Sequence, residues 1–212
     1  MSWNQNEVTL CGTVSCTPYV SHVTHREAFY IFVLESRRLS GIDDYIKILC
    51  PESMLSETPI EVGDFITVSG ALRSYNNKSG VGNRLIITVL AQEIAHTQDE
   101  PCNSVLLRGT LCKAPVFRKT PLGREICDML LAINRRYGRA DYLPCIVWGA
   151  QAREFAECTI GTKLSIEGRI QSRTYHKIED GVTTEKMAYE VSIGKLSHYE
   201  EEITGDENEE YE

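Results

Sequence analysis

No apolar run in these 212 residues approaches the roughly 20 needed to cross a bilayer as a helix. Residues 1–7 lack the basic start and apolar stretch of a signal peptide. A cytoplasmic protein without membrane contact is expected. None of the eight cysteines stands in a Cys-x-x-Cys pair. Most, like Cys50 and Cys145, lie among strand-like apolar residues, where a free thiol packs as a small hydrophobe. Reduced thiols are therefore expected rather than a disulfide framework. His22-x-x-His25, near Cys11 and Cys16, lacks the paired spacing of a structural zinc site, and no metal or cofactor is expected. The stretch 76–83 reads as a flexible hairpin tip, because it lacks the glycine-lysine-hydroxyl pattern and the following helix of a phosphate loop. No Ser-His-Asp order or clustered carboxylate pair marks a catalytic centre. Asp43-Asp44 and Glu179-Asp180 read as solvated turn residues, and an enzyme is not expected.

What the chain does have is a repeat. Residues 63–75, from Gly63 through Gly70 to Tyr75, recur as residues 161–175, from Gly161 through Gly168 to Tyr175. Upstream, Val8, Gly12 and Thr13 match Val105, Gly109 and Thr110; Arg37-Arg38 matches Arg135-Arg136, and Asp44-Tyr45 matches Asp141-Tyr142. A period near a hundred residues is too long for a solenoid unit. It describes two small homologous domains, 1–98 and 103–198, joined by the polar, Pro-terminated stretch 97–101 and followed by a tail, 199–212.

The formal net charge of -8 conceals how the halves differ. Residues 1–101 hold 7 basic and 12 acidic side chains, and residues 102–198 hold 15 basic and 10 acidic. The tail carries 8 acidic residues and no basic one. The second copy is thus basic enough to attract a polyanion.

Hydrophobic alternation and Val/Ile/Tyr enrichment predict strands over 104–111, 126–134, 142–148, 163–175 and 186–196. Glu179-Asp180-Gly181 supplies a hairpin turn between the last two. A helix is predicted over 149–158, where Ala152, Phe155 and Ala156 share a face. Three strands, a short helix and two strands is the order of a five-stranded Greek-key OB barrel. The first copy repeats it over 8–14, 28–35, 45–49, 64–75 and 84–94, with a shorter, Pro-interrupted segment at 51–60 in place of the helix. The fold class expected is all-β: two tandem OB barrels, each with five strands, and a disordered acidic tail.

The second copy resembles the DNA-binding domain of bacterial single-stranded DNA-binding proteins. The residues that carry the likeness are Gly109-Thr110-Leu111, Ala114-Pro115, Phe117-Arg118, Thr120 to Gly123, Leu131 to Tyr137, Ala140-Asp141-Tyr142, Cys145 to Trp148, Ala152, the run from Gly161 to Tyr175, and Tyr189-Glu190-Val191. The resemblance implies that single-stranded DNA stacks its bases on Tyr137, Tyr142, Trp148 and Tyr175. Cations interleave with those rings: Arg135 and Arg136 precede Tyr137, Arg139 precedes Tyr142, and Arg173 and Lys177 flank Tyr175. Arg118, Arg135, Arg136, Arg173 and Lys177 join the four rings in the expected strand-binding set, since rings beside arginines suit a flexible polyanion with flat bases. A Trp beside Ile146 and Val147 has the alternative of turning into the core.

In the first copy Tyr45 aligns with Tyr142 and Tyr75 with Tyr175, whereas Leu39 stands for Tyr137 and Pro51 for Trp148. With Arg37, Arg38 and Arg73 retained, only weak strand contact is expected there, and packing, oligomerisation or partner contact is its expected role. The resemblance implies a homodimer of two-domain chains, acting in DNA replication, recombination or repair and associated with the bacterial nucleoid. An accessory OB protein of the primosome type, working mainly through protein contacts, is the alternative. A structural OB scaffold without nucleic acid is the third class. The tail departs from the family by ending without an apolar Pro-Phe tip. Both a solubility role and docking of replication or repair proteins stay open for it.

Overall fold

The computed structural model describes residues 5–24, 26–77, 84–179 and 182–199, without the side chains at 177–179 and 182. The acidic tail beyond 199, the hairpin tip at 78–83, His25, the turn at 180–181 and the Lys177 side chain lie outside the described residues.

The first copy runs β1 (Asn6–Val14), β2 (Tyr19–Thr24), β3 (Glu27–Arg37), β4 (Asp43–Pro51), α1 (Glu52–Glu57), β5 (Phe65–Asn76) and β6 (Leu85–His96). The second runs β7 (Cys102–Leu111), β8 (Val116–Lys119), β9 (Glu125–Asn134), a 3-10 turn (Arg136–Gly138), β10 (Ala140–Trp148), α2 (Ala150–Phe155), β11 (Lys163–Glu179) and β12 (Val182–His198). The strand order is β2-β3-β4-β6-β5-β1-β7-β11-β12-β10-β9-β8, with β3 also pairing β1 and β7 also pairing β9. Those two extra pairings close each half into an OB barrel. The five expected strands are joined in each half by an edge strand, β2 or β8. Every residue of both is exposed, so neither shows the alternation that marks a half-buried strand. The segment expected to lack a helix in the first copy forms α1, as long as α2.

The two barrels share a frame by keeping apolar side chains at matched inward positions while varying their size. Leu10 and Leu107, Leu34 and Leu131, and Val89 and Val191 are all buried. Burying such a side chain contributes about 1.5–3 kcal/mol. Phe32 faces Ile48 across β3 and β4, and the matched pair in the second half is Met129 and Cys145. The first barrel takes its core aromatic from a strand. The second takes Phe155 from α2, which buries it with Ala152, whereas α1 buries nothing. The repeated Gly70 and Gly168 sit beside a register shift in each long hairpin. A Cβ there would run into the carbonyl oxygen of Leu90 or Ser192.

The halves are joined edge to edge. β1 and β7 pair antiparallel with Asn6 opposite Leu107, Val8 opposite Val105 and Cys11 opposite Cys102. Because Val8 and Val105 are repeat equivalents, the joint is a two-fold contact made within one chain. Cys11 and Cys102 form a disulfide across it, with Cα atoms 4.6 Å apart, the separation of a non-hydrogen-bonded antiparallel pair. This corrects the expectation that all thiols are free. The two cysteines meet only because the copies pair, 91 residues apart in sequence.

A second correction concerns the acidic turn residues. Asp44 is fully buried and so is its counterpart Asp141. Asp44 accepts from the Ser172 backbone N–H at 2.7 Å and from Arg38 Nε at 2.7 Å, and Arg169 lies 3.6 Å away. Asp141 accepts from the Ser74 N–H at 2.7 Å and from Arg73 Nη1 at 3.1 Å, with Arg135 at 3.6 Å. Ser172 and Ser74 also accept the backbone N–H groups of Tyr45 and Tyr142 on their hydroxyls. Each barrel thus caps a strand end of the other, and a buried carboxylate is tolerated because donors surround it.

Candidate nucleic-acid interface

Barrel parity sorts the candidate residues. On β10 the odd positions, Asp141 to Val147, are buried, and Tyr142 and Trp148 point outward. Trp148 lies opposite Ile126, which lies opposite Arg118 on β8, so the three form one row across three strands. Trp148 is 37% exposed. Its indole N–H donates to Ser192 Oγ at 3.2 Å on the neighbouring β12, which settles the ring on the outer surface. On β11, Ile170 faces the core, while Arg173 and Tyr175 follow the opposite parity. The Arg173 guanidinium carbon lies 5.8 Å from the Tyr175 ring centroid. Tyr137 is 95% exposed at the β9–β10 turn, where it takes a positive φ of 62°. Arg135 N–H closes this turn on the Arg139 carbonyl at 2.7 Å.

The arginines are unequally available. Arg118 is bound by Asp128 through two hydrogen bonds, and Arg173 lies 3.7 Å from Glu190. Arg135 shares Asp141 with Arg73. Arg136 has no carboxylate partner among the described residues. Arg139 is in the same position, and it was absent from the expected strand-binding set although its place beside the turn marked it.

Hydrogen bonding and strand register revise the matching of the copies. Ser74 and Ser172 occupy equivalent places, so Tyr75 stands where Arg173 does and not where Tyr175 does. Tyr75 lies opposite Ile86 just as Arg173 lies opposite Ala188. In the turn, Arg38 N–H bonds Ile42 O as Arg135 N–H bonds Arg139 O. Arg38 therefore matches Arg135, Leu39 matches Arg136, and Ser40 matches Tyr137. Leu39 does not replace the tyrosine, and Arg37-Arg38 does not match Arg135-Arg136. Pro51 does occupy the place of Trp148, and Tyr45 that of Tyr142. Arg38 and Arg73 hold Asp44 and Asp141 at the joint, and Arg37 lies 3.9 Å from Asp43. Tyr45 and Tyr75 are both partly exposed.

The model of the single-strand binding protein family matches residues 102–199. A single-stranded DNA-binding protein of Clostridium tetani is 38% identical over 101 residues, covering 43% of this chain and 69% of the relative. Single-stranded DNA-binding protein 2 of Clostridium acetobutylicum is 36% identical over 111 residues, covering 46% of this chain and 83% of the relative. The chain belongs to the single-strand binding protein family. The membership rests on the second barrel; the first lies outside the matched residues. The crystal structure of the wild-type single-stranded DNA binding protein from Thermus aquaticus superposes with a TM-score of 0.76 at 21% identity, covering 93% of this chain and 94% of that one. That likeness shows a shared fold over both barrels. Among the described residues no helix is long and apolar enough to cross a membrane, and no group of histidines, cysteines and carboxylates is arranged to hold a metal ion.

Proposed function

We propose that this member of the single-strand binding protein family binds single-stranded DNA without reading its sequence. Bases stack on Tyr137, Tyr142, Trp148 and Tyr175, and Arg118, Arg135, Arg136, Arg173 and Lys177 lie along the phosphates. The observation that carries the reading is the shared outer surface of Tyr142, Trp148 and Tyr175, with Arg118 and Arg173 on the same side. Paired bases do not reach such rings, whereas each exposed base contributes about 1–3 kcal/mol by stacking. The reading divides the chain into domains 1–98 and 103–198 with a tail, 199–212, and assigns intrinsic strand contact mainly to the second. Tyr45, Tyr75 and Arg37 add weaker contact. Family membership supports a place in DNA replication, recombination or repair, no catalysis, and assembly into a homodimer. The β1 and β7 edges are already paired within the chain, so a dimer uses other surfaces. The tail is assigned to contact with replication or repair proteins.

A second reading, an accessory protein acting through protein contacts, is favoured by Tyr19, Val20 and Val23, all exposed on edge strand β2. Titration of oligo-dT and of a duplex at two salt concentrations separates the two. Strand binding well above duplex binding, falling steeply with salt, is expected. Equal affinity for both would refute the first reading.

A further inference from the structure

We propose that the cleft where the β9–β10 turn overhangs the first barrel is a seat for strand phosphates built by both barrels and present once per chain. This rests on the reading above that the chain binds single-stranded DNA, and adds that the first barrel takes a direct part. The cleft, about 460 Å³, is walled by Arg73 and Gln92 of the first barrel and by Arg135, Arg136, Tyr137 and Arg139 of the second. Four guanidinium groups face one nearby carboxylate, Asp141. That carboxylate is fully buried beneath them and already engaged by Ser74, Arg73 and Arg135. No acidic side chain lines the cleft. Arg73 Nε is buried with no hydrogen-bond partner. A phosphodiester supplies acceptor oxygens that match the guanidinium fork. Tyr137, on the same rim, offers its ring to the adjoining base.

Local structure brings these groups together. The tight turn closed from Arg135 N–H to Arg139 O gathers the cations of the second barrel. On the opposite wall, Gln92 is the extra residue of the register shift between Ser69 and Gly70, and a bulge re-aims such a side chain.

The two-fold mate of this cleft is different. It is lined by Arg37, Arg38, Leu39, Ser40, Asn103 and Arg169, at about 420 Å³. Arg38 is bound by Asp44, Arg37 lies near Asp43, and Leu39 and Ser40 stand where the first cleft has Arg136 and Tyr137. Gly194 occupies the place of Gln92 in the second hairpin. One cleft sets four arginines over one carboxylate and carries a tyrosine on its rim; its mate sets three arginines against two carboxylates and has no aromatic lining.

The test uses the full chain with Gln92→Glu and Gln92→Lys, and with Ser40→Glu in the mate cleft as control. Oligo-dT affinity is measured over a salt series, and urea midpoints confirm that all three fold like wild type. A charge change about 4 Å from a phosphate in water is worth about fivefold in affinity at low salt. Gln92→Glu is expected to weaken binding and Gln92→Lys to tighten it by that factor. The lysine should also steepen the logarithmic salt slope by about 0.7, one phosphate's worth for a single strand. Ser40→Glu should leave affinity within twofold. Normal strand binding in which neither Gln92 variant moves affinity, or in which Ser40→Glu matches Gln92→Glu, overturns the seat and leaves the stacking surface standing. Loss of strand binding in the wild-type chain would instead overturn the reading on which the seat rests.

Discussion

Replacing Asp141 by Asn is expected to loosen the joint between the barrels. The carboxylate accepts the Ser74 N–H at 2.7 Å and Arg73 Nη1 at 3.1 Å, and Arg135 stands at 3.6 Å. Asparagine keeps one oxygen for Ser74 but turns an NH₂ group toward guanidinium donors and removes their counter-charge. Hydrogen bonds to a charged group are worth about 1.5–3 kcal/mol, and removing one partner of a buried ion pair costs about 3–5 kcal/mol. The Arg73 and Arg135 side chains keep 23% and 33% of their surface in water, so hydration recovers part of that cost. A net loss of about 2–3 kcal/mol follows. Urea unfolding of the full chain followed by circular dichroism measures it. Hydrogen exchange adds a local signature: the Ser74 amide should exchange faster while the Ser172 amide, held by Asp44, keeps its protection. A variant within about 0.5 kcal/mol of wild type, the range of an ordinary surface substitution, with Ser74 still protected, would refute the reasoning.

Tyr142→Ala and Trp148→Ala should each weaken oligo-dT binding by about 1–3 kcal/mol, and Tyr45→Ala should do so by less, as fluorescence titration will show. Alkylation in denaturant without reductant should modify the six free cysteines, Cys11 and Cys102 reacting only after reduction; eight modifications at the first step would argue against the pairing. In the native protein at pH 8, Cys50 and Cys145 should react slowest, because burial pushes the Cys50 thiol up to about 11 and the Cys145 thiol upward as well, leaving little thiolate. Residues 102–198 alone should retain most strand contact and, with the β7 edge opened, should pair with themselves, so light scattering should report a dimer. Deleting residues 200–212 should tighten strand binding at low salt and change little at high salt, since thirteen residues span up to about 45 Å and their charges are screened; unchanged low-salt affinity would show that the tail does not compete with DNA and leave it to solubility or protein contact alone.

The barrels were legible because their determinants are local. Alternating apolar residues, repeated glycines at the hairpin shifts and turn residues at matched offsets all lie within a few residues of what they specify. The outward placement of Tyr142 was legible for the same reason; Trp148 shares its parity on β10, and its outward placement became definite only with the bond to Ser192. What escaped depended on the joint. Asp44 looks like a solvated turn residue until Ser172 arrives from the other barrel, as Ser74 does at its counterpart Asp141. Cys11 and Cys102 belong to different copies and gain a partner only when the copies pair. The loop matching failed because Leu39-Ser40 shares no side chain with Arg136-Tyr137. The backbone bonds of Arg38 and Arg135 and the flanking strand pairs fix the register there. β2 and β8 escaped because a fully exposed strand carries no hydrophobic period.

The strand-to-strand joint of β1 with β7 has a consequence for inheritance. In a two-fold contact between separate identical chains, any substitution appears on both sides at once, and a harmful change is doubled. Here each side is encoded separately, and its partner is always tethered, so dilution does not part them. One copy carries a leucine and a serine at its turn where the other carries an arginine and a tyrosine. A tethered pair can thus hold a symmetric architecture and distribute unlike duties across it.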